Sequence, residues 1–128
     1  GNGFYPGTGA YSENGKGIAK GTKLNIPFSA GANDLDFFEA WKDVEKFLDE
    51  AKPEFIIMQC GADSLQGDPL AHLRWTEEAH ARASVGLCSL ADKYCGGKII
   101  GTGGGGYNRQ NLARAWTRVV KSFIETNK

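Results

Sequence analysis

The chain has 128 residues, with 15 basic and 15 acidic side chains and a formal net charge of zero, so it has the size of one domain or a part of one. No cluster of Lys and Arg indicates binding to nucleic acid or to an anionic membrane surface. No apolar run is long enough to cross a bilayer. The first residues are turn-rich, without an initiator Met or a signal peptide. We therefore expect a piece of a longer polypeptide that binds neither nucleic acid nor membrane.

The number and spacing of the cysteines indicate the redox state of the cellular compartment. Cys60, Cys88 and Cys95 are odd in number and lack the Cys-x-x-Cys spacing of zinc ribbons and redox motifs. Such a pattern favours buried thiols in a reducing compartment. We therefore predict a cytoplasmic protein.

The first half of the chain predicts a loop, a strand, a helix and a second strand. Residues 1–23 are rich in glycine and are interpreted as a long functional loop. Residues 24–28 are predicted to form a short strand, and Pro27 places it near a strand end or a sheet edge. Apolar residues at helical spacing predict a helix that Asn33 or Asp34 caps and that runs to about residue 51. The continuous apolar run at 54–60 predicts a parallel strand covered on both faces.

The second half continues the alternation of helices and strands. Thr76 is predicted to cap a helix that a Gly-Gly pair closes, followed by a strand at 98–100 and a helix at about 109–126. The side chains of this last helix that we expect to point inward are Leu112, Trp116, Val119, Val120 and Phe123. The order of elements predicts an α/β fold with a central parallel sheet and right-handed crossovers.

Two loops follow predicted strands and carry polar side chains that could do chemistry. Asp63 lies in the loop after the strand at 54–60, and Tyr107 follows four glycines after the strand at 98–100. Loops at the carboxyl ends of parallel strands form the ligand crevice of such sheets. Asp63 could bind a metal or act as a base, or it could cap a turn. Tyr107 could donate a hydrogen bond to an oxyanion, or it could pack on the last helix.

Other motifs are weaker candidates. Residues 101–106 satisfy Gly-x-Gly-x-x-Gly, but a dinucleotide site also needs a following strand with an acidic residue about twenty positions on. His72, in the loop after the first long strand, is a weak metal candidate. His80 is expected to be a surface or half-buried helix residue. Asp68 is interpreted as a turn residue.

Six motifs, taken together, resemble the histone deacetylase family, also called the arginase–deacetylase group. They lie at residues 4–9, 25–27, 59–64, 67–70, 103–108 and 113–116. The segment 90–98 is similar to the bacterial members of the acetoin-utilisation type. The resemblance implies a three-layer α/β/α fold with a central parallel sheet, of which residues 1–128 would be the carboxy-terminal portion of a single catalytic domain. It also implies hydrolysis of the amide of acetyl-lysine or a similar acylated amine.

The resemblance assigns roles by position. It implies that Asp63 is a ligand of Zn²⁺ and that Tyr107 hydrogen-bonds the substrate carbonyl and the tetrahedral intermediate. It further implies that Tyr5 and Leu70 line the substrate tunnel and that Gly105 and Gly106 lie beside its floor. The tandem histidines and the Asp-x-His segment of the family have no counterpart here, so the remaining zinc ligands are expected upstream.

Several expectations follow for the chain by itself. We expect it to be inactive, and to need the amino-terminal part of the catalytic domain as a partner. Its exposed apolar surface could also support a homo-oligomer. The alternative from another class is a non-catalytic module of the same fold that binds an acylated ligand or a partner.

Overall fold

The structure is a computed structural model that describes residues 5–126, so Phe4 of the first motif lies outside the described residues. A short 3₁₀ helix, Gly17–Ala19, lies in the amino-terminal segment. The remaining elements are α1 (Asp34–Ala51), β1 (Ile56–Gln59), α2 (Glu77–Cys95), β2 (Ile99–Thr102) and α3 (Arg109–Thr126). The predicted alternation of helices and strands is confirmed from α1 onward.

The starts of the first two long helices are fastened to each other. Asn33 begins α1 with a capping box, in which the Asp36 carboxylate accepts a hydrogen bond from the Asn33 backbone N–H. Thr76 caps α2, as predicted. The carboxylate of Asp34 accepts hydrogen bonds from both the N–H and the hydroxyl of Thr76, at 2.7 and 2.6 Å. This pair of bonds fixes the beginning of α2 and so the end of the loop that precedes it.

The two strands are parallel and pack on a layer of helices. Their register pairs Ile56 with Ile99 and Gln59 with Thr102. One face of β1 is buried against the helices, whereas Ile57 on the other face is 71 % exposed. Its neighbour across the ladder, Ile100, is 51 % exposed. The expectation that β1 is covered on both faces is therefore not met within the described residues, which form one helical layer and two strands of an α/β fold.

Residues 24–28 are not a strand, so this prediction is wrong. Pro27 has no N–H to give to a ladder, and the segment is held by side chains instead. The Asn25 amide donates to the carbonyl oxygens of Ala10 and Glu13. The ring of Phe28 packs edge-on against Trp75, with centroids 5.0 Å apart. These contacts fasten the segment to the amino-terminal loop and to the core.

The inward face of α3 differs in part from the prediction. Trp116 and Val120 are 39 % and 57 % exposed, so they do not belong to the core. The buried row consists of Asn111, Ala115, Val119 and Ser122. These mostly small side chains let α3 approach α2 closely, because α2 also presents alanines, serine and glycine. The aromatic ring of Trp116 is thereby turned toward the ends of the strands.

The cysteines agree with the prediction made from their spacing. Cys60, Cys88 and Cys95 are free and buried, as predicted. Burial raises the pKa of the thiols of Cys60 and Cys88. Within residues 5–126, no helix combines the length and the apolarity needed to cross a bilayer.

Candidate active site at the ends of the strands

The loops that follow the two strands run side by side. Beyond the strands, Cys60 donates its N–H to the carbonyl oxygen of Thr102 at 2.9 Å. Ala62 then donates its N–H to the carbonyl oxygen of Gly105 at 2.6 Å. The indole N–H of Trp116 closes the same region by donating to the Cys60 carbonyl oxygen at 2.8 Å. The sequence prediction that residues 61–64 and 103–108 meet at one edge of the sheet is confirmed.

The run of four glycines is explained by protein atoms that occupy the places of the absent side chains. A Cβ on Gly104 would overlap the side chain of Gln59. A Cβ on Gly105 would lie 2.5 Å from one carboxylate oxygen of Asp63. At Gly103 the nearest atoms belong to the Trp116 ring, at an ordinary 3.4 Å. The second and third glycines are therefore needed because the two loops touch.

Gly106 is needed for a second reason. Its φ of +140° is a conformation that side-chain-bearing residues rarely adopt. A Cβ there would also lie 2.7 Å from Leu112 and 3.2 Å from Ala62. Gly106 therefore permits the backbone path that leads directly into Tyr107.

Asp63 is half-buried and its carboxylate faces Gly105. It accepts no hydrogen bond from any residue in the described part of the chain. A carboxylate left open in this way has its acceptor capacity available for a ligand. The alternative that Asp63 caps a turn has no support in these contacts.

His80 lies beneath this loop and is buried, at 7 % exposure, rather than at the surface or half-buried as expected. Its Nε2 is 2.8 Å from the Gly61 carbonyl oxygen. Burial lowers the pKa of His80, against the opposing effects of the Gly61 hydrogen bond and the Asp63 charge. The contact of its ring with the Gly61 carbonyl ties α2 to the backbone just after β1. His72, in contrast, is exposed and forms no side-chain hydrogen bond with the described residues.

The backbone of Tyr107 is fixed by a hydrogen bond, whereas its ring is exposed to solvent. Its N–H donates to a carboxylate oxygen of Asp68 at 2.8 Å. Its side chain is 58 % exposed, and its hydroxyl has no hydrogen-bond partner in residues 5–126. The next residue, Asn108, accepts hydrogen bonds from the N–H groups of Gln110 and Asn111 and so begins α3. A phenol in this arrangement can donate to a group that enters from solvent.

The structure joins one of the two predicted tunnel residues to this cluster. Leu70 is 63 % exposed, and its N–H donates to Asp68 at 2.8 Å, so its backbone is connected to that of Tyr107. Tyr5 is 98 % exposed and packs against none of the other predicted site residues. The structure thus brings together Asp63, Leu70, Gly105, Gly106 and Tyr107, and leaves Tyr5 apart.

Sequence reasoning missed two residues that hold these loops. Asp68 forms the predicted turn, but it also reaches across to Tyr107. Asn111 is 2 % exposed, and its amide donates to the Gln66 carbonyl oxygen at 3.1 Å. Asn111 was not on the predicted inward face of the last helix, which began at Leu112. No local signal shows that Asp68 has a partner 39 residues away.

The described residues fit a metal ion only in part. Asp63 offers an open carboxylate, which is a suitable anionic ligand for zinc. A catalytic zinc site needs three protein ligands. Residues 5–126 contain no group of three or more His, Cys, Asp or Glu side chains that could hold a metal ion. Asp63 is therefore a candidate ligand, and residues 5–126 do not hold a complete set.

Comparisons with known proteins identify the family. The family model described as "Histone deacetylase domain" matches residues 1–123. The chain is 37% identical over 124 residues to the acetoin utilization protein AcuC of Staphylococcus aureus strain Mu50, covering 95% of this chain and 32% of that protein. It is 39% identical over 118 residues to AcuC of Bacillus subtilis strain 168, covering 91% and 30%. The chain thus spans about a third of the length of the curated relatives it matches.

Solved structures agree with the sequence comparisons. The crystal structure of the HDA15 HD domain matches with a TM-score of 0.89 and 33% identity, and the match covers 96% of this chain and 34% of that one. The two parallel strands and the helices described above are thus part of the arginase–deacetylase fold that the sequence predicted. The chain belongs to the histone deacetylase domain family.

Proposed function

We propose that residues 1–128 are the carboxy-terminal portion of a single zinc-dependent deacetylase domain. Family membership supports the reaction class, which is hydrolysis of the amide of acetyl-lysine or a similar acylated amine. The observation that carries the proposal is the contact between the open Asp63 carboxylate and Gly105, two residues before Tyr107. A metal ligand and a phenolic donor thereby belong to one cluster of loops.

The roles are proposed from the family resemblance, and the contacts of Asp63, Leu70 and Tyr107 support them. Asp63 contributes one anionic ligand to the metal. Zinc, when bound, supplies Lewis-acid polarisation of the amide carbonyl and lowers the pKa of water. Tyr107 donates its free hydroxyl to the carbonyl oxygen as negative charge develops there. Leu70 and Tyr5 line the entry for the acyl chain, with Gly105 and Gly106 beside its floor.

The remaining ligands and the general base come, in this proposal, from an amino-terminal part of the same domain. The exposed apolar face that carries Ile57 and Ile100 is the surface that this part would cover. The isolated chain should be inactive, because one protein ligand neither retains zinc nor tunes it.

A second candidate is a module of the same fold that binds an acylated ligand or a partner without catalysis. One observation favours it, namely that residues 5–126 present one ligand rather than a metal site. In this case the exposed sheet face would be covered by a partner or by a second copy of the chain.

One experiment separates the two candidates. The 128-residue chain and the native polypeptide that contains it are purified, and each is assayed for bound zinc and for release of acetate from an acetyl-lysine peptide. We expect zinc and activity in the native polypeptide and neither in the isolated chain. Activity in the isolated chain would contradict the proposal, and a native polypeptide without zinc or activity would favour the binding module.

A further inference from the structure

We propose that Asp68 is a positioning residue that sets the backbone of the catalytic Tyr107 and of the tunnel residue Leu70 at the same time. This inference rests on the proposed function, which gives those two residues their roles. Its evidence is a single buried carboxylate with three backbone partners in two different loops. No described side chain other than Asp68 hydrogen-bonds the backbone of both Leu70 and Tyr107.

The geometry divides the three bonds between the two oxygens of Asp68. One oxygen accepts the N–H groups of Leu70 and Ala71, at 2.8 and 3.2 Å. The other oxygen accepts the N–H of Tyr107 at 2.8 Å. The residue is 7 % exposed, so water does not compete for these acceptors. All three partners are donors, which suits a group that only accepts.

This bond matters because of the residue before Tyr107. Gly106 has a φ of +140° and no side chain to restrict its backbone. The backbone before Tyr107 is therefore less restricted than it would be after a residue with a side chain. The Asp68 bond supplies a restraint from the opposite loop, at the N–H nearest the ring. A displacement of about 1 Å at a reacting group can cost about 10²-fold in rate.

Another side-chain hydrogen bond to the loop that contains Asp68 provides a matched control. Asn111 joins α3 to the loop through the Gln66 carbonyl oxygen. It has no hydrogen bond to Tyr107 or Leu70. If Asp68 only tied the loops together, loss of the Asn111 bond would have a similar effect on the reaction.

The first test uses the 128-residue chain and needs no activity. In the chain labelled with ¹⁵N and ¹³C, a scalar coupling across the hydrogen bond should connect the Tyr107 amide nitrogen to the Asp68 carboxylate carbon. The Tyr107 amide should also exchange slowly with solvent. An amide that exchanges freely and shows no coupling would overturn the proposal, whatever the outcome for the proposed function.

The second test uses the native polypeptide and Asp68→Asn. The amide keeps one oxygen, which satisfies the two donors of Leu70 and Ala71, and turns its NH₂ toward the N–H of Tyr107. We expect kcat to fall about 10-fold to 10²-fold, with a much smaller change in KM. Asn111→Ser should leave kcat near that of the wild type. An equal loss in both variants would overturn the proposal.

A double variant decides whether Asp68 acts through Tyr107. Once Tyr107→Phe has removed the hydroxyl, its position no longer affects the rate, so adding Asp68→Asn should lower kcat no further. A loss as large as in the wild-type background would show that Asp68 acts elsewhere and would overturn the proposal. The wild-type coupling measurement keeps the proposal testable even if Asp68→Asn does not fold.

Discussion

The loops at the ends of the strands and the amino-terminal segment, residues 5–33, are built in different ways. The strand-end loops are held to each other by long-range bonds, such as those from Ala62 to Gly105 and from Tyr107 to Asp68. The amino-terminal segment forms mainly local bonds, such as those of the Glu13 carboxylate with the N–H groups of Gly9 and Ala10. The difference shows that this chain by itself holds the loops of Asp63 and Tyr107 together. Tyr5, which is proposed to line the substrate tunnel, is 98 % exposed and has no such long-range bond within residues 5–126.

The largest effect is expected at Tyr107, because the strand-end loops that carry it are the more tightly held of the two regions. In the native polypeptide, Tyr107→Phe should lower kcat by about 10²–10³, the usual effect of losing one oxyanion donor. KM should change little, since the hydroxyl acts mainly on the transition state. Steady-state kinetics with an acetyl-lysine peptide measures both constants. Tyr5→Phe is the matched control, because it also removes a phenolic hydroxyl but in the amino-terminal segment. Equal losses in the two variants would contradict the comparison.

The contact between Gly105 and Asp63 provides a second test of the organised region. In Gly105→Ala the new Cβ would lie 2.5 Å from the Asp63 carboxylate, which must move away. Zinc affinity of the native polypeptide should fall about 10-fold to 10²-fold, as when support around a metal ligand is lost. Competition with a chromogenic chelator measures the affinity. Gly103→Ala, where the new Cβ meets the Trp116 ring at 3.4 Å, should bind zinc like the wild type. Unchanged affinity in Gly105→Ala would contradict the assigned contact.

The packing of the helical layer behind the loops can be tested through the free energy of unfolding. Gly86 lies inside α2, where alanine normally stabilises by up to about 1 kcal/mol. Here a Cβ would lie 2.6 Å from the Glu45 carboxylate and 2.9 Å from both Arg82 and Trp41. Overpacking costs about 1–3 kcal/mol, so Gly86→Ala should lower the free energy of unfolding in urea. Adding Glu45→Ala should reduce the penalty of the Gly86 substitution. A more stable Gly86→Ala chain would show that the contact is absent.

The smallest effect is expected from the pH dependence of the ion pair between Glu45 and Arg82, whose charged atoms are 2.7 Å apart. Hydrogen bonds from Arg82 hold the pKa of Glu45 below its ordinary value of 4.5. A depressed pKa stabilises the fold above the unfolded value, and this stability is lost as the pH falls through the folded value. The partly exposed pair should contribute about 0.5 kcal/mol near neutral pH.

Urea unfolding of the wild type and Glu45→Gln at about pH 7 and about pH 3 measures this contribution. The difference between the two chains should be present at the higher pH and shrink at the lower one. A difference that is the same at both values would contradict the role assigned to the Glu45 charge.

The sequence predicted the parts of the fold that depend on local rules. The sequence predicted helix starts at Asn33 or Asp34 and at Thr76, because such side chains cap free N–H groups, and the structure has the caps at Asn33 and Thr76. The parallel sheet and the meeting of the two loops followed from the alternation of elements. The strand at 24–28 was wrong because apolar residues around Pro27 indicate an extended backbone and do not show whether a ladder partner exists.

The sequence predicted the chemically distinctive residues of the candidate site but not the residues that hold them in place. Asp63 and Tyr107 could be named from their places after strands and from the family motifs. Their support depends on contacts between distant loops, such as the bond from Tyr107 to Asp68 and the packing of Gly104 on Gln59. No periodicity or spacing in one sequence specifies those pairs. The burial of His80 was missed for the same reason, since its partner is the backbone of Gly61.

The central claim is that this chain supplies an organised part of an active site whose other part lies in the same polypeptide. The most direct measurement is the intact mass of the native polypeptide from its source cells, with its sequence read by fragmentation. We predict a mass well above 13.8 kDa and an upstream sequence that contains tandem histidines and an Asp-x-His segment. A native mass of 13.8 kDa would contradict the claim and favour a module that binds without catalysis.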